Sequence, residues 1–291
     1  MFWPFPRRRE STLTGTRVEN HMTTVLSAGL TDIGRSRSKN EDSFLIVPPL
    51  YLVADGMGGA AAGEVASRMA VEIIAAELAG FDCGPEPSVE KRAREAIEKA
   101  DRDIKRLMRE DPGLLGMGTT LVMAIPCGAR LFMANIGDSR AYRITADPAG
   151  MRSKTVSNAA ATGIMPLSGE EPAAAAGNIA RVTRDHSVVM EMVAAGIITE
   201  ADIRTHPLLN RITRALGSFG RAEPEFYWFD LAPGDTYLLC TDGLWEMLHE
   251  DLIHAIVRSS DNLGELNDRL VKAANNAGGA DNITVVTIRV G

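Results

Sequence analysis

The chain carries acidic residues in short glycine- or asparagine-marked frames along nearly its whole length. They are Asp32-Ile33-Gly34, Asn40-Glu41-Asp42, Asp55-Gly56-Met57-Gly58-Gly59, Gly137-Asp138-Ser139, Asp242-Gly243 and Asp281-Asn282. Several follow directly on apolar, strand-like runs, as Asp55 follows Tyr51-Leu52-Val53-Ala54. A fold that gathers such strand ends in one place also gathers their carboxylates, and those cannot all stay ionised side by side without cations between them. Carboxylate oxygens suit hard ions such as Mg and Mn better than soft metals. Each frame alone is also an ordinary turn, because Asp accepts bonds from its own backbone and Gly takes positive φ. Their order and company carry the reading of a two-metal hydrolase.

With 291 residues the chain makes one large domain or two modest ones. Its 45% hydrophobic and 24% charged residues are ordinary for a globular protein with a full core. A formal net charge of -7 argues against a nucleic-acid binder, as does the lack of a basic-aromatic patch. Cys83, Cys127 and Cys240 form no CxxC and no pairable framework, so the expectation is reduced thiols in a cytoplasmic protein. No HExxH-type motif is present, and no apolar run reaches the length of a membrane span. At the start, Phe2, Trp3 and Phe5 precede Arg7, Arg8 and Arg9, and a polar stretch follows. A secretory signal has the reverse order, so residues 1–23 read as a tail outside the fold. A peripheral anchor on an anionic surface is the alternative, and Met22 stands as another initiation point.

Periodicity predicts strands over 24–30, 43–47 and 51–54, then helices over 63–79 and 87–110, the second with Ser88 as its N-cap. Strands over 119–125 and 130–136 flank a turn at Pro126-Cys127-Gly128, and 139–144 continues the sheet. Residues 145–180 are rich in Ala, Gly, Ser and Pro and read as a surface insertion. Helical pattern returns over 187–195 and in a short turn after Thr199. It is followed by strands over 226–231 and 236–241, helices over 244–258 and 263–275, and a last strand over 283–290. Hairpin signals without a regular strand-helix-strand rhythm give an α+β class with antiparallel sheets.

The order of the motifs resembles that of the metal-dependent (type 2C) protein phosphatases in their bacterial form. The matching segments begin with Thr31-Asp32-Ile33-Gly34-Arg35-Ser36-Arg37-Ser38-Lys39-Asn40-Glu41-Asp42 and Val53-Ala54-Asp55-Gly56-Met57-Gly58-Gly59. They continue with Gly118-Thr119-Thr120, Ala134-Asn135-Ile136-Gly137-Asp138-Ser139-Arg140-Ala141-Tyr142, Thr183-Arg184-Asp185-His186-Ser187 and Ile212-Thr213-Arg214-Ala215-Leu216-Gly217. Cys240-Thr241-Asp242-Gly243-Leu244-Trp245 and Gly278-Gly279-Ala280-Asp281-Asn282-Ile283-Thr284 close the series.

The resemblance implies a four-layer α-β-β-α sandwich, two antiparallel sheets flanked by helix pairs, with Mn or Mg at one end: two ions and room for a third. Carried over by motif, Asp55 bridges two ions, Asp242 and Asp281 complete the first, and Glu41 with the backbone carbonyl of Gly56 serves the second. Asp138 with Asp242 holds a third, weaker ion, and Asp42 orients metal-bound water. A hydroxide between the ions would attack phosphorus with no covalent phospho-enzyme. Arg37 matches the phosphate-binding arginine, with Arg35 and Lys39 as neighbours competing for the role. Met57 stands where better-known eukaryotic members have a histidine that could act as acid. His186 offers itself as a substitute, although an Asp-His pair in a turn is more often structural.

Residues 186–217 resemble a flap beside the active site. Implied partners are phosphorylated Ser/Thr proteins and a Ser/Thr kinase, with the chain a monomer. A catalytically silent regulatory module and an unrelated two-metal nuclease are the competing classes. The first is disfavoured because Glu41, Asp55, Asp242 and Asp281 are all present.

Overall fold

A computed structural model describes residues 10–12, 18–20, 23–58, 62–146, 179–218 and 222–291. Two sheets face each other. One runs β12 (Glu225–Asp230), β9 (Arg130–Ile136), β8 (Leu121–Cys127), β5 (Leu50–Ala54) and β4 (Ser43–Val47), with antiparallel neighbours throughout. The other runs β3 (Thr23–Asp32), β14 (Ile283–Val290), β13 (Thr236–Cys240), β10 (Arg140–Ile144) and β11 (Ile179–Arg181). The far side of β3 pairs with two short strands, β1 (Glu10–Thr12) and β2 (Val18–Asn20). Those two stretches of the expected tail are therefore strand. A two-stranded ladder, β6 (Gly56–Met57) with β7 (Gly118–Thr119), lies beyond β5.

Strand alternation builds three apolar layers. Val53, Val122, Met133, Tyr237, Leu239 and Val286 meet between the sheets. Their neighbours one residue away, among them Leu52, Leu121, Met123 and Phe132, turn outward against α1 (Ala62–Glu77) and α2 (Glu86–Glu110). On the other side, Leu238, Cys240, Ile283 and Val285 meet α4 (Asp242–Trp245), α5 (Glu250–Arg258) and α6 (Leu263–Asn276). Both faces of each central strand are covered, which is why those strands read as continuous apolar runs. The four-layer α-β-β-α expectation holds.

Three local expectations need correction. The helix expected over 244–258 is two helices. The chain leaves α4 so that Leu244, Trp245 and Leu248 can all enter the core, and Arg204 takes the freed carbonyls of Trp245, Glu246 and Leu248 at 3.0–3.3 Å. Ser88 is not an N-cap: α2 starts at Glu86 behind Pro85, and the Ser88 hydroxyl donates to the Pro85 carbonyl at 2.6 Å. Cys83, in the α1–α2 connection, forms a disulfide with Cys127 at the end of β8. The reading of three reduced thiols fails there because these partners are 44 residues apart and only the fold juxtaposes them. Cys240 is free and fully buried.

Of the 145–180 insertion, residues 147–178 lie outside the described residues, while Ile179 and Ala180 already pair with β10. Between Ser187 and Gly217 lie α3 (Val188–Ala194), capped by the Ser187 hydroxyl, and a 3-10 turn, Glu200–Thr205, opened by the Thr199–Asp202 capping box. Val189, Met190 and Ile203 give this segment a small core of its own.

Candidate metal centre

Antiparallel pairing decides where the acids meet. Ser43 is level with Ala54, Val53 with Val122, and Leu121 with Ile136. In the other sheet Ile283 is level with Asp32, Cys240 with Val285, and Arg140 with Cys240. The starts of β4, β14 and β10 and the ends of β5, β9 and β13 thus share one end of the sandwich. Glu41 and Asp42, Asp55, Asp138, Asp242 and Asp281 all fall there.

Close backbone approaches bring them together. At Gly63, in the first turn of α1, an added Cβ would lie 2.7 Å from the Gly56 carbonyl oxygen and 3.0 Å from the carboxyl carbon of Glu41. That carbonyl and that carboxylate therefore face the same spot. At Gly243 an added Cβ would lie 2.0 Å from the Asn282 carbonyl oxygen, so only glycine lets α4 press against the 281–282 loop and set Asp242 beside Asp281.

The scaffold beneath is a lattice of hydroxyl and amide groups. Asp42, 8% exposed, accepts from Thr241 at 2.9 Å and Thr284 at 2.7 Å. The Asp55 backbone is fixed by Thr119 and Thr120, whose hydroxyl and N–H donate to its carbonyl at 2.8 and 2.9 Å. Asn282 receives the Glu41 N–H and donates to the carbonyls of Ile33 and Lys39, which closes the 33–41 loop over β14. The Glu41 carbonyl takes the Ser67 hydroxyl at 2.6 Å and the Gly56 N–H at 3.2 Å. Trp245 donates to the Asp138 carbonyl at 3.1 Å.

The electrostatics are strained. Burial, then the charges of Asp242, Asp42, Asp138 and Asp281, holds the Asp55 carboxyl well above the usual carboxylate range. Burial and the charges of Asp242 and Asp185 do the same to Asp138. Asp42 and Asp242 are also pushed up, by burial first and by neighbouring aspartates second. Glu246, half-buried, is raised to about 7 by burial and by Asp242 and Asp281. A cation reaches in: Arg37 donates to Asp281 at 2.5 Å with half its side chain exposed. Arg35 instead bonds Asn276 on α6, so of these two arginines Arg37 is the one that faces the acids.

The donors fit a hard divalent cation. The set is all oxygen, and one buried oxygen of Asp242 has no hydrogen-bond partner, a costly state that a cation would relieve. Among the described residues no three acidic or imidazole groups close on one point as a finished cage.

The sequence reading singled out Glu41, Asp42, Asp55, Asp138, Asp242 and Asp281, and the structure brings these acids to one end of the sandwich. It missed Thr241, Thr284, Ser67, Asn282 and Glu246. A hydroxyl on a strand (Thr284), on a helix (Ser67) or at a helix start (Thr241) carries no local signal of what it will face. Glu246, four residues beyond Asp242 on a helical start, had a spacing that could have pointed to the same face.

A family model described as protein phosphatase 2C matches residues 35–274. The chain belongs to the protein phosphatase 2C family. It is 34% identical to the serine/threonine phosphatase stp of Listeria innocua over 266 residues, covering 89% of this chain and 93% of that one. The structure of the S. agalactiae serine/threonine phosphatase superposes with a TM-score of 0.77 at 30% identity, over 92% of this chain and 100% of that one. The catalytic domain of the protein phosphatase PstP, crystallised with 2 manganese ions, superposes with a TM-score of 0.73 at 30% identity, over 91% of this chain and 98% of that one.

Proposed function

We propose that this chain is a metal-dependent protein phosphatase that hydrolyses phosphoserine and phosphothreonine and opposes a Ser/Thr kinase. The observation that carries the reading is the gathering of five aspartates, Glu41 and the Arg37 guanidinium at one end of the sandwich. A buried set of like charges costs stability, and a purely structural role does not explain it. Two Mn or Mg ions, with a third at a weaker site, supply charge neutralisation of the phosphomonoester dianion and activation of water when bound.

The chain's own residues would then divide the work. Asp55, at the electrostatic centre, would serve both of the main ions, with Asp242 and Asp281 toward the first and Glu41 with the Gly56 carbonyl toward the second. Asp138 with Asp242 would serve the third, and Asp42, locked by two threonine hydroxyls, would orient water. Arg37 is half-exposed, and its planar fork can take two phosphate oxygens, which a Lys ammonium cannot. Met57, beside Asp55-Gly56, has no proton to give, so protonation of the leaving alkoxide falls to another group. Among the described residues no helix is long and apolar enough to cross a membrane. Cytoplasmic placement belongs to this reading. The Cys83–Cys127 disulfide counts against a strongly reducing compartment, and counting free thiols in protein taken from cells decides the point.

The test is phosphate release from a phosphothreonine peptide with Mn, with chelator, and by Asp242→Asn. Release that needs Mn and is lost in the variant supports the reading. No release by folded wild-type protein under Mn or Mg sinks it in favour of a silent regulatory module.

A further inference from the structure

His186 follows the buried Asp185 and is itself 4% exposed. Its backbone N–H donates to the Gly137 carbonyl at 2.8 Å, and the Gly137 N–H donates back to its ring Nδ1 at 3.1 Å. Both polar groups of one glycine, the residue before Asp138, are thus held by one histidine. A backbone N–H can only donate, so Nδ1 is the unprotonated nitrogen and the ring proton sits on Nε2. Nε2 lies 3.3 Å from the Glu225 carboxylate on β12. The His186 carbonyl receives the N–H of Thr213, near the end of the 187–217 segment, at 2.8 Å. One residue, through its backbone and its ring, therefore ties together the Asp138 loop, that segment and β12.

From this geometry we infer that His186 is a positioning residue: it fixes the Gly137-Asp138 peptide so that the Asp138 carboxylate stays beside Asp242 and the other acids, and it is not the acid that protonates the leaving group. The inference rests on the reading of Asp138 as a metal ligand. Nδ1 is engaged by a backbone donor, and Nε2 faces the Glu225 carboxylate with the Arg214 guanidinium also 3.3 Å away, so neither nitrogen is free to serve a substrate oxygen. The Asp138 carbonyl is held from the other side by Trp245. With the backbone clamped on both flanks, the carboxylate keeps its direction although burial and the charges of Asp242 and Asp185 oppose its ionisation. Groups that orient a metal ligand typically change affinity or activity by about 10–100-fold when removed.

The experiment compares His186→Leu, His186→Asn and His186→Gln with Asp138→Asn in the full chain. It reads Mn binding by the electron paramagnetic signal of free Mn, exchange of the Gly137 amide hydrogen, and kcat and KM for a phosphothreonine peptide against pH. An Asn oxygen can sit where Nδ1 sits and accept the Gly137 N–H, whereas a Gln places its terminal atoms nearer Nε2. The expected result is that Leu and Gln weaken the Mn-binding step that Asp138→Asn removes by about tenfold or more and deprotect the Gly137 amide. Asn should recover that step to within about threefold, with the pH profile of kcat unchanged.

If Leu keeps that binding step at wild-type strength, the inference is overturned. It is also overturned if Asn is as inactive as Leu and has lost one limb of the pH profile, the behaviour of a proton donor. Should Leu fail to fold, the contrast between Asn and Gln carries the same decision. Asp138→Asn with an unchanged Mn isotherm overturns the ligand reading itself, and does so independently of the His186 variants.

Discussion

Two sets of buried charge sit within a few residues of each other and are treated in opposite ways. On β10, Arg140 meets Asp185 through Nε at 3.0 Å and Nη2 at 2.7 Å, and stacks on Trp245 at 3.4 Å. Arg143, three residues further along the strand, meets Asp235 at 2.6 Å. Each of these acids is neutralised by a forked cation, and Asp185 also meets Arg181 at 3.4 Å. At one end of the sandwich, Asp55, Asp138, Asp242 and Asp42 face mostly one another, and Arg37 pairs with Asp281. The paired set holds the structure together; the unpaired set is costly until a cation arrives. A buried charge identifies a functional site when its neighbours fail to neutralise it.

The sharpest way to break this contrast is to neutralise one acid from each set. Asp55→Asn should lower kcat on a phosphothreonine peptide by about a thousandfold or more, equivalent to about 4 kcal/mol. It should also leave metal-free stability unchanged or higher, because a repulsive charge is gone. Asp185→Asn should do the reverse to stability, lowering it by about 3–5 kcal/mol in urea unfolding, since Arg140 is left buried without its partner. Stability kept in Asp55→Asn and lost in Asp185→Asn separates the two sets; a loss of stability in both would erase the distinction.

Arg37→Ala should act more weakly. We expect about a tenfold fall in kcat/KM, about 1.4 kcal/mol, mostly through KM, while Arg35→Ala stays near wild type. Unchanged kcat/KM in Arg37→Ala would remove the arginine from phosphate binding.

The smallest effect concerns pH. Carboxyls whose folded pKa is raised above the unfolded value of about 4 bind protons more tightly in the folded state. The stability this contributes is complete below that unfolded value and is lost as pH rises through the folded value. Asp55, Asp138, Asp42 and Asp242 are all raised, and Glu246 reaches about 7. The thermal midpoint of metal-free protein should therefore fall as pH climbs from about 4 through about 7, and saturating Mn should flatten that slope. A metal-free midpoint that rises across this window would contradict the raised carboxyls.

Much of this was legible along the chain. The strands at β5, β13 and β14 were visible as apolar runs, the acids as punctuation after or before them, and the 3-10 turn by its Thr199 cap. The break between α4 and α5 was not, because residues 244–258 keep helical periodicity and only the need to bury Leu248 interrupts it. The short strands β1 and β2 had no signal strong enough to separate them from a tail, since they gain their hydrogen bonds from the edge of β3.

The sequence by itself determined the α+β class, the order of the motifs and the identity of the acids, because these depend on local pattern and on residue chemistry. Tertiary structure alone decided that Cys83 bonds Cys127, that Arg37 rather than Arg35 faces the acids, and that both His186 nitrogens are spent on holding the fold. Each of these depends on which groups meet across many residues of chain, and such meetings follow from strand register and helix placement rather than from any neighbour in sequence.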